Sequence, residues 1–221
     1  LAASIISKNK VIIQNIPLVK DVETMIDLLS LLGSKVKLFK KRKKIEILNS
    51  NKLSTFVPYK LVKTMRAGVL VLGPLLARYN KAKVSLPGGC AIGSRPVNLH
   101  LAALKKMGVN FKIKGGYINA IAKNGLIGNK ITFPKISVGA TENTMLAACL
   151  AKGKTILNNC ACEPEIKDLS RFLVKMGCKI KWLEKRKIEI NGITNLKPLT
   201  YSVMFDRIEA GTYMIASAVT D

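Results

Sequence analysis

Three times along the chain a helical pattern ends on the same signal, a leucine four residues before a glycine. The stretches are L-S-L-L-G at Gly33, L-K-K-M-G at Gly108 and L-V-K-M-G at Gly177. A glycine just past a helix end accepts the left-handed backbone that stops a helix. Each glycine is followed by alternating residues of strand type, at 35–39, 110–114 and 179–183. A second short strand follows each time, at 45–48, 117–121 and 188–190, and then a second helical segment, at 60–77, 141–151 and 207–219. The glycines lie 75 and 69 residues apart, so the 221 residues hold three such units and little else.

No unit of that size can bury both its helix faces and its strand faces alone. Three of them packed about a common axis can, with helices inside and sheets facing out. The second helical segments fit an inner position. G-V-L-V-L-G-P-L-L-A (68–77) and M-L-A-A-C-L-A (145–151) are apolar on nearly every side, as a central helix must be. The expected fold class is α/β with α+β character. Hydrophobic residues make up 48% of the chain, enough for a sizeable core and against disorder.

The net charge of +24 raises the question of a polyanionic partner, nucleic acid first. The distribution argues against it. Lysines occur in every segment, and the one dense run, K-K-R-K-K at 40–44, lies between two strand patterns, where a solvated hairpin turn is expected. Aromatic residues at 5% are too few for a stacking platform. The cysteines at 90, 149, 160, 162 and 178 are odd in number, and the single histidine, His100, completes no zinc pattern. A reducing, cytoplasmic setting and no metal are expected. Cys149 and Cys178 sit in apolar contexts and are expected to pack, while Cys160 and Cys162 flank a turn. No signal peptide is visible, and the longest apolar run, 67–77, is too short to span a bilayer and contains Gly73 and Pro74.

The chemistry concentrates between Val84 and His100, V-S-L-P-G-G-C-A-I-G-S-R-P-V-N-L-H. Pro87, Gly88, Gly89 and Gly93 exclude a helix or strand interior, so this is a loop of special backbone geometry. Its amides can approach an anion closely. Cys90 sits at its centre, Arg95 brings a positive charge, and a helical pattern starts around Pro96. A thiol near a helix start and an arginine is one whose thiolate is accessible at neutral pH. The other reading of the same residues is a small buried cysteine beside a Gly-Gly turn.

The stretch S-L-P-G-G-C-A-I-G-S-R-P-V-N-L-H resembles the active-site loop of the UDP-N-acetylglucosamine enolpyruvyl transferases, of the EPSP synthase family. The resemblance runs on through Y-K-L-V-K-T-M-R-A (59–67), K-I-S-V-G-A-T (135–141), E-P-E-I (163–166) and D-R-I-E-A-G-T (206–212). It implies an inside-out α/β barrel of three repeats per lobe, with two lobes facing across a cleft. Residues 1–204 would be a nearly complete first lobe and 205–221 the opening of a second. The chain is then expected to be a piece of a longer enzyme, inactive alone, with Asp206, Arg207 and Glu209 forming a capped helix start at a hinge.

The implied reaction moves the enolpyruvyl group of phosphoenolpyruvate to a hydroxyl of UDP-N-acetylglucosamine and releases phosphate, the first committed step of peptidoglycan synthesis. It is an addition followed by an elimination, needing a proton for the methylene carbon and a base for the hydroxyl. The resemblance makes Cys90 the proton donor, able to form a covalent adduct and open to epoxides such as fosfomycin. It gives the base to an aspartate of the second lobe. Both substrates are anionic, so cations must gather. Arg66 is implied to reach into the cleft, and Arg95 with Pro96 to pack around the uracil, followed by Val97, Asn98 and Leu99. The family usually has aspartate where Asn98 stands, which removes a charge. Lys135, Ile136, Ser137 and Val138 open a helix that offers a diphosphate site; an ordinary N-cap is the plainer reading. His100 is either a structural histidine or a neighbour of the nucleotide.

The expected partners are the two small-molecule substrates, with no cofactor, nucleic acid, membrane or obligate protein partner. The competing readings are a remnant that binds nucleotide sugar without catalysis, and a basic nucleic-acid-binding protein. Enolpyruvylshikimate-phosphate synthases share the fold but lack the P-G-G-C loop.

Overall fold

The computed structural model describes residues 1–62, 65–87 and 97–220, the side chain of Arg66 excepted. In chain order the elements are β1 (Val11–Gln14), α1 (Lys20–Leu31), β2 (Ser34–Phe39), β3 (Lys44–Asn49), β4 (Phe56–Val57), α2 (Tyr59–Val62), α3 (Leu72–Tyr79), β5 (Lys81–Ser85), α4 (Asn98–Lys106), β6 (Asn110–Lys114), β7 (Tyr117–Ile121), β8 (Lys130–Thr132), α5 (Val138–Ala148), β9 (Lys154–Asn158), α6 (Pro164–Lys175), β10 (Lys179–Glu184), β11 (Lys187–Asn191), β12 (Leu199–Ser202) and α7 (Arg207–Val219). Short 3-10 segments lie at Ala2–Ile6, Lys40–Arg42 and Arg66–Val71.

The three glycines do what the repeat predicts. Gly33, Gly108 and Gly177 have φ of +102°, +91° and +102° and close α1, α4 and α6. Beyond the last two, the amides of Val109 and Cys178 bond back to Leu104 and Leu173, taking up carbonyls a helix end leaves open. The lysine run at 40–44 turns between β2 and β3 through the 3-10 segment, with Lys43 left-handed at φ +43°, as a solvated hairpin requires.

The strands form three four-stranded sheets, ordered β12-β1-β3-β2, β4-β5-β7-β6 and β8-β9-β11-β10. In each, the first two strands run parallel and the rest antiparallel. The first strand of each sheet belongs to the preceding unit in sequence. β12 therefore returns to β1, with Leu199 opposite Val11, and closes the ring. Alternation buries one face of each sheet: Ile45 and Ile47, Ile118 and Ala120, and Ile188 and Ile190 are all at most 1% exposed.

Inside lie α3, α5 and the Ala2–Ile6 segment, with α3 packed against both of the others. Leu72, Leu75 and Leu76 of α3 and Met145, Ala147 and Ala148 of α5 are fully buried. Helices α1, α4 and α6 bury one face each and expose the other. Arg78 at the end of α3 ties the first unit in, donating to the carbonyls of Ile5 (3.0 Å) and Ser50 (2.7 Å). No helix among the described residues is long and apolar enough to cross a membrane.

Two expectations are corrected. The helix expected over 60–77 is broken into α2, the Arg66–Val71 segment and α3. Gly68 packs against Val62, and Pro74, which has no N–H to give, falls in the first turn of α3, where none is needed. The helix at 207–219 forms with the expected bounds but does not go inside: α7 buries no residue. The place on the axis belonging to the first sheet is filled by Ala2–Ile6, all five residues of which are buried.

Candidate substrate site

Two helix starts and one 3-10 start converge. Val97, half-buried, precedes α4, whose first residues are the exposed Asn98 and the half-buried Leu99. Lys135 and Ile136 are exposed ahead of α5, Ser137 is its N-cap, and Val138 its first residue. The Ser137 hydroxyl accepts the Ala140 amide at 3.2 Å, and its carbonyl takes the Thr141 hydroxyl at 2.7 Å. The N-cap reading of S-V-G-A-T thus holds, and the remaining amides of that turn add to the positive end of the α5 dipole.

The two starts are locked together by His100, in the first turn of α4. The Cε1–Nε2 edge of its ring lies against Gly139, where an added Cβ would sit 3.2 Å from Cε1 and 3.4 Å from Nε2. Only a glycine admits that approach without displacing the ring. Leu70, from the segment opened by Arg66, closes the third side of Gly139.

Asn143, one turn along α5, is the buried centre of the junction. Its Oδ1 accepts the Gly73 amide at 2.6 Å, and its Nδ2 donates to the Val69 carbonyl at 3.0 Å and to His100 Nδ1 at 3.1 Å. The Gly73 donor sets the orientation of the amide, so Nδ2 brings both its hydrogens to acceptors. His100 Nδ1 is therefore unprotonated and the ring proton is on Nε2. Burial acts the same way, lowering the imidazole pKa to about 4. The ring stays neutral at physiological pH.

A carboxyl stands beside this junction. Glu142 lines a cavity of about 260 Å³ with Asp21, Met65, Ala67 and Leu70 among its walls. Burial, then the nearby Glu165, raise its pKa to about 7. Glu165 itself is held down by Arg207, which grips it through Nε at 3.0 Å and Nη2 at 2.9 Å. Asp206 caps α7 as expected, accepting the Ile208 and Glu209 amides at 2.9 and 3.2 Å. Cys149 and Cys178 are buried, as their contexts predict; Cys160 is buried and Cys162 half-buried.

The structure thus brings the starts of α4 and α5 together through His100 against Gly139, with the backbone of Arg66 opening the third segment. Cys90, Arg95 and Pro96 lie outside the described residues. Gly139, Glu142 and Asn143 were missed from sequence. The only signal was spacing, since Gly139 and Asn143 share a helix face four apart.

The sequence profile of the family described as EPSP synthase (3-phosphoshikimate 1-carboxyvinyltransferase) matches residues 1–221. Among curated proteins, the chain is 62% identical over 221 residues to a UDP-N-acetylglucosamine 1-carboxyvinyltransferase of Pelagibacter ubique, and 50% identical over 222 residues to one of Rickettsia akari. All of the chain is covered, and 52% and 53% of those relatives, so it spans about half their length. Among solved structures, the enolpyruvyl transferase NikO of Streptomyces tendae superposes with a TM-score of 0.85 at 18% identity, covering 96% of this chain and 50% of that one. An EPSP synthase of Acinetobacter baumannii superposes with a TM-score of 0.77 at 19% identity, covering 97% and 49%. The fold of the described chain is that of these transferases, an α/β barrel with its helices inside.

Proposed function

Because the chain belongs to the EPSP synthase family, we propose that it works as the part of a UDP-N-acetylglucosamine carboxyvinyltransferase that carries the reactive loop. The observation that carries this reading is the 62% identity to the Pelagibacter ubique enzyme along the entire chain. The proposed setting is the cytoplasm and the proposed role is peptidoglycan synthesis.

In this reading the paired starts of α4 and α5 receive the sugar nucleotide. The uracil lies against Arg95, Pro96 and the Val97–Leu99 backbone. The diphosphate meets Lys135, the Ser137–Val138 turn and the positive end of α5. Arg66 adds charge from the start of the third segment. His100 contributes a neutral ring with its proton on Nε2, a donor that costs no ionisation. Phosphoenolpyruvate meets Cys90. The thiol gives its proton to the methylene carbon while the sugar oxygen bonds to the neighbouring carbon and its own proton passes to a base. Phosphate then leaves and a proton of the newly formed methyl group returns to the protein, restoring the double bond.

The test is phosphate release from phosphoenolpyruvate and UDP-N-acetylglucosamine by the protein carrying this sequence, with calorimetric titration of the sugar nucleotide into the 221-residue chain. Saturable sugar-nucleotide binding, and release abolished by Cys90→Ser and blocked by fosfomycin with a mass increase on Cys90, are expected. Sustained release by Cys90→Ser, or no sugar-nucleotide binding, overturns the reading.

A further inference from the structure

The three sheets are built alike, and their outward faces can be compared position by position. The central outward row of the first sheet reads Lys37, Glu46, Ile12 across β2, β3 and β1. The same row of the third reads Lys181, Glu189, Ile156 across β10, β11 and β9. In both, the central glutamate is gripped by lysines: Glu46 by Lys10 at 2.7 Å and Lys44 at 2.8 Å, and Glu189 by Lys154 at 3.1 Å. These partners hold both carboxyls below their ordinary range, Glu46 at about 2.

The second sheet breaks the pattern twice. Its row reads Lys112, Asn119, Lys83 across β6, β7 and β5. The glutamate has become an amide, and the isoleucine a second lysine. The flanking rows add Lys114 beside Tyr117, and Lys81 beside Ile121. No ion pair among the described residues reaches Lys81, Lys83, Lys112 or Lys114. The sequence offers no local counter-charge either: between Glu46 and Glu142 it has fifteen lysines and arginines and no aspartate or glutamate. That stretch alone therefore carries +15 of the chain's net +24.

The same face carries apolar side chains. Phe56 is 42% exposed and Ile121 51% exposed. Tyr117 packs its ring 5.5 Å from Phe56, and its hydroxyl accepts the amide of Tyr59, which is 52% exposed. The Lys83 ammonium lies over both rings, 5.3 Å from the Phe56 centroid and 5.1 Å from the Tyr117 centroid. Cationic and apolar groups therefore alternate on a face four strands, or roughly 15 Å, wide.

We propose that this face, centred on Asn119, is a peripheral docking surface for an anionic phospholipid bilayer. Charge complementarity names the class of partner, a surface dense in phosphate, and the apolar groups choose within it. A bilayer takes lysines at its headgroups and isoleucine and aromatic edges just beneath them. A single-stranded nucleic acid needs open ring faces for its bases. Here the Lys83 ammonium lies over one face of each ring, and Ile121 offers nothing to stack on. The expectation of no membrane partner rested on the lack of a spanning segment, which a peripheral contact does not need.

The sister sheets supply the test. Asn119→Glu with Lys83→Ile gives the second sheet the row that the other two carry and fold with. The chain is mixed with phosphatidylcholine vesicles, with and without phosphatidylglycerol, and the bound fraction is read by co-sedimentation. Binding only to the phosphatidylglycerol vesicles, falling steeply as salt rises from about 0.05 M to about 0.5 M, is expected. The double variant is expected to bind about tenfold or more weakly. Lys112→Gln with Lys114→Gln, which leaves the sheet backbone untouched, is expected to weaken it as well. No binding by the unaltered chain, equal binding to neutral vesicles, or binding that survives either pair of substitutions overturns the proposal. So does tighter binding of a single-stranded oligonucleotide that the same substitutions abolish, which would assign the face to nucleic acid.

Discussion

Asn143 Nδ2 stands 3.1 Å from His100 Nδ1, and that contact decides where the imidazole proton resides. One amide thereby joins three segments: α5, which carries it, α4 through His100, and the Arg66–Val71 stretch with the head of α3 through Val69 and Gly73. These are the segments that bear Arg66, Asn98 and Ser137. The candidate site is assembled from below, by a buried polar group that touches none of its proposed ligands.

Asn143→Ala should therefore cost about 3 kcal/mol or more of folding stability, because it strands a buried amide, a buried carbonyl and a ring nitrogen together. Urea unfolding monitored by the fluorescence of Trp182, the single tryptophan, measures it. A loss under about 1 kcal/mol would mean that the three groups find water or each other, and that Asn143 is not the tie it looks to be.

The pH dependence of stability should be shaped by two groups acting in opposite directions. His100 has its pKa lowered from 6.5 to about 4 by burial. As pH falls from 6.5 towards 4 the unfolded state takes up a proton that the folded state refuses, and up to roughly 3 kcal/mol of stability is lost. Glu142 has its pKa raised from 4.5 to about 7. Below 4.5 it is protonated in both states; as pH rises from there to about 7 the unfolded state gives up a proton that the folded state keeps. Stability then falls with rising pH, again by roughly 3 kcal/mol. Between about 4.5 and 6.5 the two slopes oppose, and the native curve should be nearly flat. Glu142→Gln removes one slope, so its stability should fall visibly as the pH drops below 6.5. Parallel curves for variant and native chain would rule this pairing out.

Gly139→Ala probes the contact between the two helix starts. The new methyl would come within 3.2 Å of the His100 ring. Helix propensity favours alanine by up to about 1 kcal/mol, while overpacking costs about 1–3 kcal/mol. The crowding should win, since Asn143, one turn along the same face of α5, holds the ring at the adjacent Nδ1. The expected result is lower stability with weaker sugar-nucleotide binding, read by thermal unfolding and calorimetry. A stabilised variant with unchanged affinity would show that the ring can step aside.

How far the sequence carried depends on what kind of signal each feature leaves. The three glycine-terminated helices and their hairpins are local, and Gly33, Gly108 and Gly177 all adopt the predicted backbone. The fate of α7 is not local. Its thirteen residues form the helix the pattern predicts, but its burial depends on whether the place on the axis is free, and Ala2–Ile6 fills that place from the far end of the chain. The return of β12 to β1 is likewise invisible in either strand alone. Ser137 was legible as a helix start because an N-cap has its own chemistry. Asn143 was not, because a mid-helix asparagine reads as a weak helix former until its three partners, from other segments, are brought to it.

Asn98 offers the sharpest test of the nucleotide reading. It is the first residue of α4, exposed, with no acidic residue in that first turn. A carboxylate there faces the positive end of the helix and should add about 0.3–1 kcal/mol of stability. It would also accept a uracil N–H through a charged oxygen, a bond about twice as strong as the neutral one. Asn98→Asp should therefore raise the melting temperature slightly and tighten UDP-N-acetylglucosamine about tenfold, since a charged acceptor contributes roughly 1.5 kcal/mol more than a neutral one. The two effects are separable, because UDP binding reports the uracil contact and thermal unfolding of the free chain reports the dipole. If the melting temperature rises while affinity for both UDP and the sugar nucleotide stays fixed, the head of α4 is an ordinary helix start and the uracil lies elsewhere. If affinity falls, the site is adapted to a neutral acceptor, and Asn98 is a specificity-determining residue of this chain rather than a weakened copy of aspartate.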